Sequence, residues 1–147
     1  PGFGAMQKAE LQGYNPSFCI APKPGFADSV YQSLKKVEGM KIWFSDEVPE
    51  RLHYGSNPRC LDFVIVADSG WSVIEKQGKK VGKGAHGYDN TNQNMHAIFY
   101  AKGPAFREKY TAPVFNNIDI YPLICEILEL KPARVDGTLK NVEGMLK

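Results

Sequence analysis

His86 stands in the stretch GKGAHGYDNTNQNMHAIFYAKGPAF, residues 82–106, with Tyr88, Asp89 and Asn90 close behind it. Glycines on both sides let the backbone turn sharply and come close to a ligand. A histidine presented in this way is a candidate metal ligand or acid/base. The plainer alternative is a histidine in a surface loop, and the choice between them depends on partners. The chain holds three histidines, His53, His86 and His96, whereas a catalytic zinc typically takes three protein ligands. No His-x-His, His-Glu-x-x-His or Asp-x-x-x-His spacing occurs. His96 lies in an apolar, strand-like run and is expected to be half-buried. His53, in RLHYG, either packs on Tyr54 or lines a cleft. DSGW at 68–71 contains Ser69-Gly70 but no G-x-S-x-G elbow, so a hairpin turn is expected there. GKGAHG has the glycines of a phosphate cradle without its Lys-Ser/Thr. Spacing alone therefore yields one good ligand and no complete active site.

The elements that must position His86 are read from periodicity. SFCIAPK (17–23) predicts a strand, and FADSVYQSLKKVEG a helix with Val30, Leu34 and Val37 on one face and Gly39 as its stop. MKIWF predicts a short strand, and Ser45 to Leu52 a helical turn. CLDFVIVAD (60–68) is the strongest strand signal, apolar enough to need cover on both faces. GWSVIEK is expected to return as its hairpin partner, and MHAIFYAKGP as a further strand. NNIDIYPLICEILELK predicts a closing helix with Asp119 as N-cap and Pro122 at its third position, where no intrahelical N–H bond is lost. The first 15 residues are glycine-rich and expected to be poorly fixed. These elements imply an α/β or α+β fold in which helices cover a mixed sheet.

A chain of 147 residues is one domain by length. Its net charge of +2 and scattered lysines leave no nucleic-acid patch, and no apolar run is long enough to span a membrane. Cys19, Cys60 and Cys125 cannot all pair within one chain, and their apolar settings point to free thiols. The start at Pro1 is expected to follow loss of an upstream segment.

GAHGYDNTNQNMHAIFYAKGPAF resembles the C-terminal signature of the type I phosphodiesterase / nucleotide pyrophosphatase family, within the alkaline phosphatase superfamily. FNNIDIYPLICEILELKPA is similar to the closing helix of that family, and PERLHYGSNPR with FVIVADSGWSV to the segment before the signature. The match runs from about Tyr14 to the end. KPARVDG departs from the family pattern, but only in the tail.

The resemblance implies a parent enzyme with two zinc ions, held by aspartates and histidines, and a threonine or serine nucleophile. Of those residues only His86 lies in this stretch. Tyr88, Asp89 and Asn90 are then expected to orient its loop, a role that follows from their position and is not carried over from the family. The resemblance also implies that residues of about 15–80 form a capping-like α+β region and about 81–147 the closing strand and helix of the catalytic domain. The expected partners are a missing N-terminal catalytic portion and a nucleotide or other phosphodiester substrate. The expected location is periplasmic or secreted, and the chain by itself is expected to be inactive. The alternative is an independently folding capping or ligand-binding module without catalysis. An enzyme half should expose the apolar face of FVIVA or of the C-terminal helix. A third reading, an unrelated hydrolase built on His53, His86 and Asp68, is the weakest.

Overall fold

The computed structural model describes residues 3–147. Contacts within the chain fall into two compact units, the first ending at Ala97 and the second spanning Ile98–Lys147.

The first unit opens with helix α1 (Phe3–Met6) and continues through strands β1 (Ala9–Tyr14) and β2 (Ser17–Pro22), helix α2 (Ala27–Leu34), and strands β3 (Met40–Phe44) and β4 (Phe63–Ala67). The strands form one sheet in the order β1-β2-β4-β3, and every neighbouring pair is antiparallel. The α+β class with covering helices stands. The sheet is antiparallel throughout its described strands, where a mixed sheet is expected from sequence. The reason is that β4 inserts between β2 and β3 and opposes both, so these two never pair with each other.

Register divides the sheet into two faces. Ile20 pairs with Phe63 and Phe63 with Phe44, while Phe18 pairs with Ile65 and Ile65 with Ile42, so these side chains share one face. That face packs on Val30 and Leu34 of α2 and on Ala5 and Met6 of α1. Tyr31, Phe44 and Phe63 meet ring to ring, with centroids 4.4–5.5 Å apart. The other face carries the row Cys19–Val64–Trp43. FVIVA lies at the centre of the sheet and four of its five residues are buried, so it is a core strand here and not the exposed apolar face expected of an enzyme half.

Three expectations change. The first 15 residues include an ordered strand, because β1 pairs with β2 along its whole length and Ala5 and Met6 are buried. GWSVIEK is not a strand: the Val73 N–H donates 2.8 Å to the Asn15 side chain, so this donor is not available to a ladder. MHAIFYAKGP is not a strand: Met95 ends the 3₁₀ turn Gln93–Met95, the residues after it have no ladder partner among the described residues, and Ile98 is 95% exposed.

The second unit centres on helix α3 (Ile120–Ile127), close to its predicted position. Leu123 is buried with Val142 and Met145, and Phe106, Phe115 and Leu139 pack around them. Tyr121, Ile124 and Leu128 leave an apolar face of the helix exposed. Asp119 precedes α3 as predicted, but its carboxylate does not cap the helix. It accepts from the Thr138 N–H at 2.8 Å, the Asn141 Nδ2 at 3.0 Å and the Asn116 N–H at 3.3 Å, at 1% exposure. Asp119→Ala strands those donors, and the expected loss is roughly 2–3 kcal/mol, measured by chemical denaturation. No described helix is long and apolar enough to cross a membrane.

Candidate functional site

Two segments of the first unit meet at Asp89 and Asn90, just after His86. The earlier one is a 3₁₀ turn, Glu50–Leu52, which ends at His53 in the left-handed region (φ 47°). Gly55 follows at φ 107°, with the Ser45 carbonyl where a β-carbon would stand. Any side chain there would displace the turn that carries Arg51.

The later segment holds the signature. Gly87 has φ 93°, which turns the backbone immediately after His86. Tyr88 is half-buried against the sheet core, and its hydroxyl donates 2.8 Å to the Trp71 carbonyl. Asp89 takes a two-pronged bond from Arg51, Nη1 to Oδ1 at 2.8 Å and Nη2 to Oδ2 at 2.7 Å. The same Nη1 donates to the Asn90 side chain at 3.0 Å. Asp89 also accepts from the Thr91 N–H and hydroxyl, at 3.0 and 2.8 Å. Asn92 donates to the Ser69 hydroxyl at 3.1 Å and caps the turn Gln93–Met95 through the Asn94 N–H. The segment is thus anchored from Tyr88 onward, and His86 is exposed just before the first anchor.

Electrostatics favour this arrangement. Burial pushes the Asp89 carboxyl up, but the Arg51 guanidinium and the two Thr91 donors outweigh it and bring the value down from 3.8 to about 2. A carboxyl lowered in the folded state binds fewer protons there than in the unfolded chain. Its contribution is therefore present above about pH 4 and fades as pH falls towards 2. In an acid titration the Asp89 carboxyl carbon is expected to shift with a midpoint near pH 2, and residues 86–92 to loosen below it. A midpoint at the ordinary carboxylate value would show that the Arg51 clamp does not form in solution.

A cavity of about 170 Å³ lies beside the loop, lined by Lys41, Val66, Ala67, Asp68, Ser69, Tyr88, Asp89 and Thr91. His86 and His53 do not line it, so the cavity does not unite His53, His86 and Asp68. His96 is exposed, not half-buried, because its run finds no sheet to join. Among the described residues no three His, Cys, Asp or Glu side chains converge as a metal site. The donors of this chain therefore do not by themselves fit a zinc ion at His86. Arg51 escapes the sequence reading. The signal for it is the half-buried Asp89, which calls for a cation, but nothing local says which one.

A model of the family described as type I phosphodiesterase / nucleotide pyrophosphatase matches residues 5–89, which includes the turn bearing Arg51 and the loop through Asp89. The chain belongs to this family. It is 37% identical over 133 residues to ectonucleotide pyrophosphatase/phosphodiesterase family member 5 from Homo sapiens, a match covering 90% of this chain and 28% of that protein. It is 40% identical over 114 residues to a venom phosphodiesterase from Crotalus durissus collilineatus, covering 77% of this chain and 14% of the relative. The solved structure of murine ectonucleotide pyrophosphatase / phosphodiesterase 5 superposes with a TM-score of 0.88 at 37% identity, over 96% of this chain and 38% of that one. An inactive variant of the same murine protein has been solved in complex with AMP, with the same TM-score of 0.88. Relatives in the type I phosphodiesterase family are thus ectoenzymes and venom enzymes by name, and the chain spans less than a third of the length of the human and the venom protein alike.

Proposed function

We propose that the chain is the C-terminal part of a zinc-dependent phosphodiesterase or nucleotide pyrophosphatase acting outside the cytoplasm, and that His86 is one zinc ligand of that enzyme. The observation that carries this reading is the loop itself. Four consecutive anchors, Tyr88 to Thr91, take hydrogen bonds or an ion pair, while His86 beside them stays exposed. A purely structural loop gains nothing by being fixed so firmly around an exposed imidazole. The remaining ligands and the nucleophile would come from sequence outside this stretch. Zinc, when bound in such enzymes, offsets charge on the phosphate and activates the nucleophile. The residues of this chain fix the loop beside the imidazole, through Tyr88 on the sheet core and the Arg51 bond to Asp89.

A nucleotide substrate is the favoured class. A related protein is named a bis(5'-adenosyl)-triphosphatase, and another relative has been solved with AMP. The exposed run at Ile98 and Tyr100 and the uncovered face of α3 support a partner portion over a self-sufficient module in the second unit.

The test is hydrolysis of a chromogenic phosphodiester with added zinc, by this chain and by a longer chain that supplies the N-terminal portion. Turnover only by the longer chain is the expected result. Turnover by this chain alone would show that it carries a complete site and is no fragment. Silence of both would remove the hydrolase reading.

A further inference from the structure

Arg51 grips the signature loop at Asp89 and Asn90. A second hold comes from the turn after β4, residues 68–71. The Tyr88 hydroxyl donates 2.8 Å to the Trp71 carbonyl, and the Asn92 Nδ2 donates 3.1 Å to the Ser69 hydroxyl. This turn can hold the loop only if it is itself fixed, and its tip has no support of its own: a β-carbon on Gly70 would meet nothing within 4 Å. What fixes it is the Trp71 side chain. The Cδ2, Cε2 and Cε3 atoms of the indole occupy the place where a β-carbon on Gly39 would stand. Gly39 lies in the left-handed region (φ 81°) immediately before β3, and its carbonyl accepts from the Asp68 N–H at 2.8 Å. The Trp71 N–H in turn donates to the Asp68 carbonyl at 2.9 Å. Gly39, Asp68 and the indole thus form one seat for the turn.

We propose that Trp71 is a positioning residue for the His86 loop: its indole, seated on Gly39, sets the carbonyl and the hydroxyl that hold Tyr88 and Asn92. Tryptophan suits this seat because a wide, flat ring can lie on the bare backbone of a glycine and take apolar surface out of water there. Any side chain at Gly39 would expel the ring, so the two residues are required together. Trp71 is 49% exposed and is not among the residues that pack the sheet core, so covering that core is not its task. The two holds act on different groups. Arg51 takes the side chains of Asp89 and Asn90, and the Trp71 turn takes Tyr88 and Asn92 on either side of them. Loss of one leaves the other in place and the loop half-released.

Tyr88 carries this hold to the imidazole. Gly87, the one residue between Tyr88 and His86, lies against the buried Pro16 ring: a β-carbon there would stand 3.6 Å from the Pro16 Cδ. Two residues of chain span at most about 7 Å, so a swing of Tyr88 away from the Trp71 carbonyl takes His86 with it. The consequence for turnover rests on the proposed phosphodiesterase role of His86. In that role a displaced imidazole lowers the rate of the bound complex more than the binding of substrate, because it is alignment that is lost. The dependence of the loop on Trp71 does not need that reading.

The experiment is amide hydrogen exchange of this chain in Trp71→Ala, Trp71→Phe, Tyr88→Phe and the double variant Trp71→Ala/Tyr88→Phe, with turnover measured in the longer enzyme carrying the same changes. The Thr91 and Asn92 amides, which bond to Asp89 at 3.0 Å each, report on the loop, and the amides of β4 report on the sheet. Tyr88→Phe is expected to quicken loop exchange about fivefold, the effect of one lost hydrogen bond, and Trp71→Ala at least as much. Trp71→Phe, which keeps a ring over Gly39, should restore most of the protection. The double variant should exchange no faster than Trp71→Ala, because both changes release the same hold. In the longer enzyme kcat is expected to fall about tenfold in Trp71→Ala, with KM little changed, and to recover in Trp71→Phe. Unchanged loop exchange in Trp71→Ala, full addition of the two single effects, or faster exchange or unfolding of the sheet would each overturn the proposal. So would a loosened loop with unchanged kcat. If the loop loosens as expected and the unaltered longer enzyme shows no turnover, the hydrolase reading fails and the hold by Trp71 stands.

Discussion

In the longer zinc-dependent enzyme proposed above, His86→Ala is expected to abolish phosphodiester hydrolysis while leaving the fold intact. A metal that offsets transition-state charge contributes several kcal/mol, and ~4 kcal/mol corresponds to a rate loss of about 10³-fold. His86 is exposed and takes no part in the sheet core. Removing it should therefore change stability by no more than about 0.5 kcal/mol, the ordinary range for a surface substitution. The informative result is the contrast between the two measurements. Activity lost with an unchanged melting curve and fewer bound zinc ions per chain places His86 on the metal. Activity retained, with metal content unchanged, would remove the ligand assignment. A melting curve that falls along with activity would instead make the loop a structural part of the sheet.

Local periodicity makes some of this fold legible, and long-range pairing conceals the rest. Val30 and Leu34 repeat at helical spacing and are the two buried residues of α2. The run Phe63–Ala67 is apolar on both faces, and it is one of the two inner strands, with neighbours on both sides and α2 packed against the sheet. β1 is hidden because AELQGY carries little pattern of its own; pairings such as Leu11 with Ile20 and Gly13 with Phe18 create the strand. GWSVIEK misleads for the opposite reason. Its strand-like composition invites a hairpin, but Asn15, 58 positions earlier, takes the Val73 N–H. The run from His96 to Tyr100 has the apolar content of a central strand and none of the partners among the described residues.

The candidate site divides in the same way. The cluster of Tyr88, Asp89 and Asn90 behind His86 is a local sequence feature, and all three side chains make ordered contacts. Arg51 is 38 positions from Asp89, in a stretch whose prolines and polar residues say only that it is irregular. What brings them together is topology. The turn after β3 and the loop after β4 leave opposite ends of an antiparallel pair of strands, in which Phe44 lies opposite Phe63 and Met40 opposite Ala67. The chain must therefore run back along these strands before Arg51 and Asp89 can meet, and no local pattern announces that return. A single sequence supplies the charge that Asp89 requires but not the geometry that selects Arg51.

Arg51→Met should accordingly weaken the site without removing any candidate ligand. The substitution keeps the length and apolar stem of the side chain but deletes both prongs of the Asp89 bond and the contact with Asn90. Residues that fix a metal-bound histidine at one remove typically contribute 10–100-fold, and a loss of about that size in turnover is expected in the longer enzyme. Arg51→Lys should recover only part of it, because an ammonium cannot span both carboxylate oxygens in the plane of a guanidinium. The present chain offers a second readout. Amide hydrogens of residues 86–92 should exchange faster in Arg51→Met, while those of β4 keep their protection, because the sheet core does not include the clamp. Faster exchange confined to the loop, together with the ordering Arg above Lys above Met in turnover, separates a positioning role from general destabilisation. If exchange quickens throughout the sheet as well, Arg51 supports the fold as a whole, and the loop has no dedicated clamp.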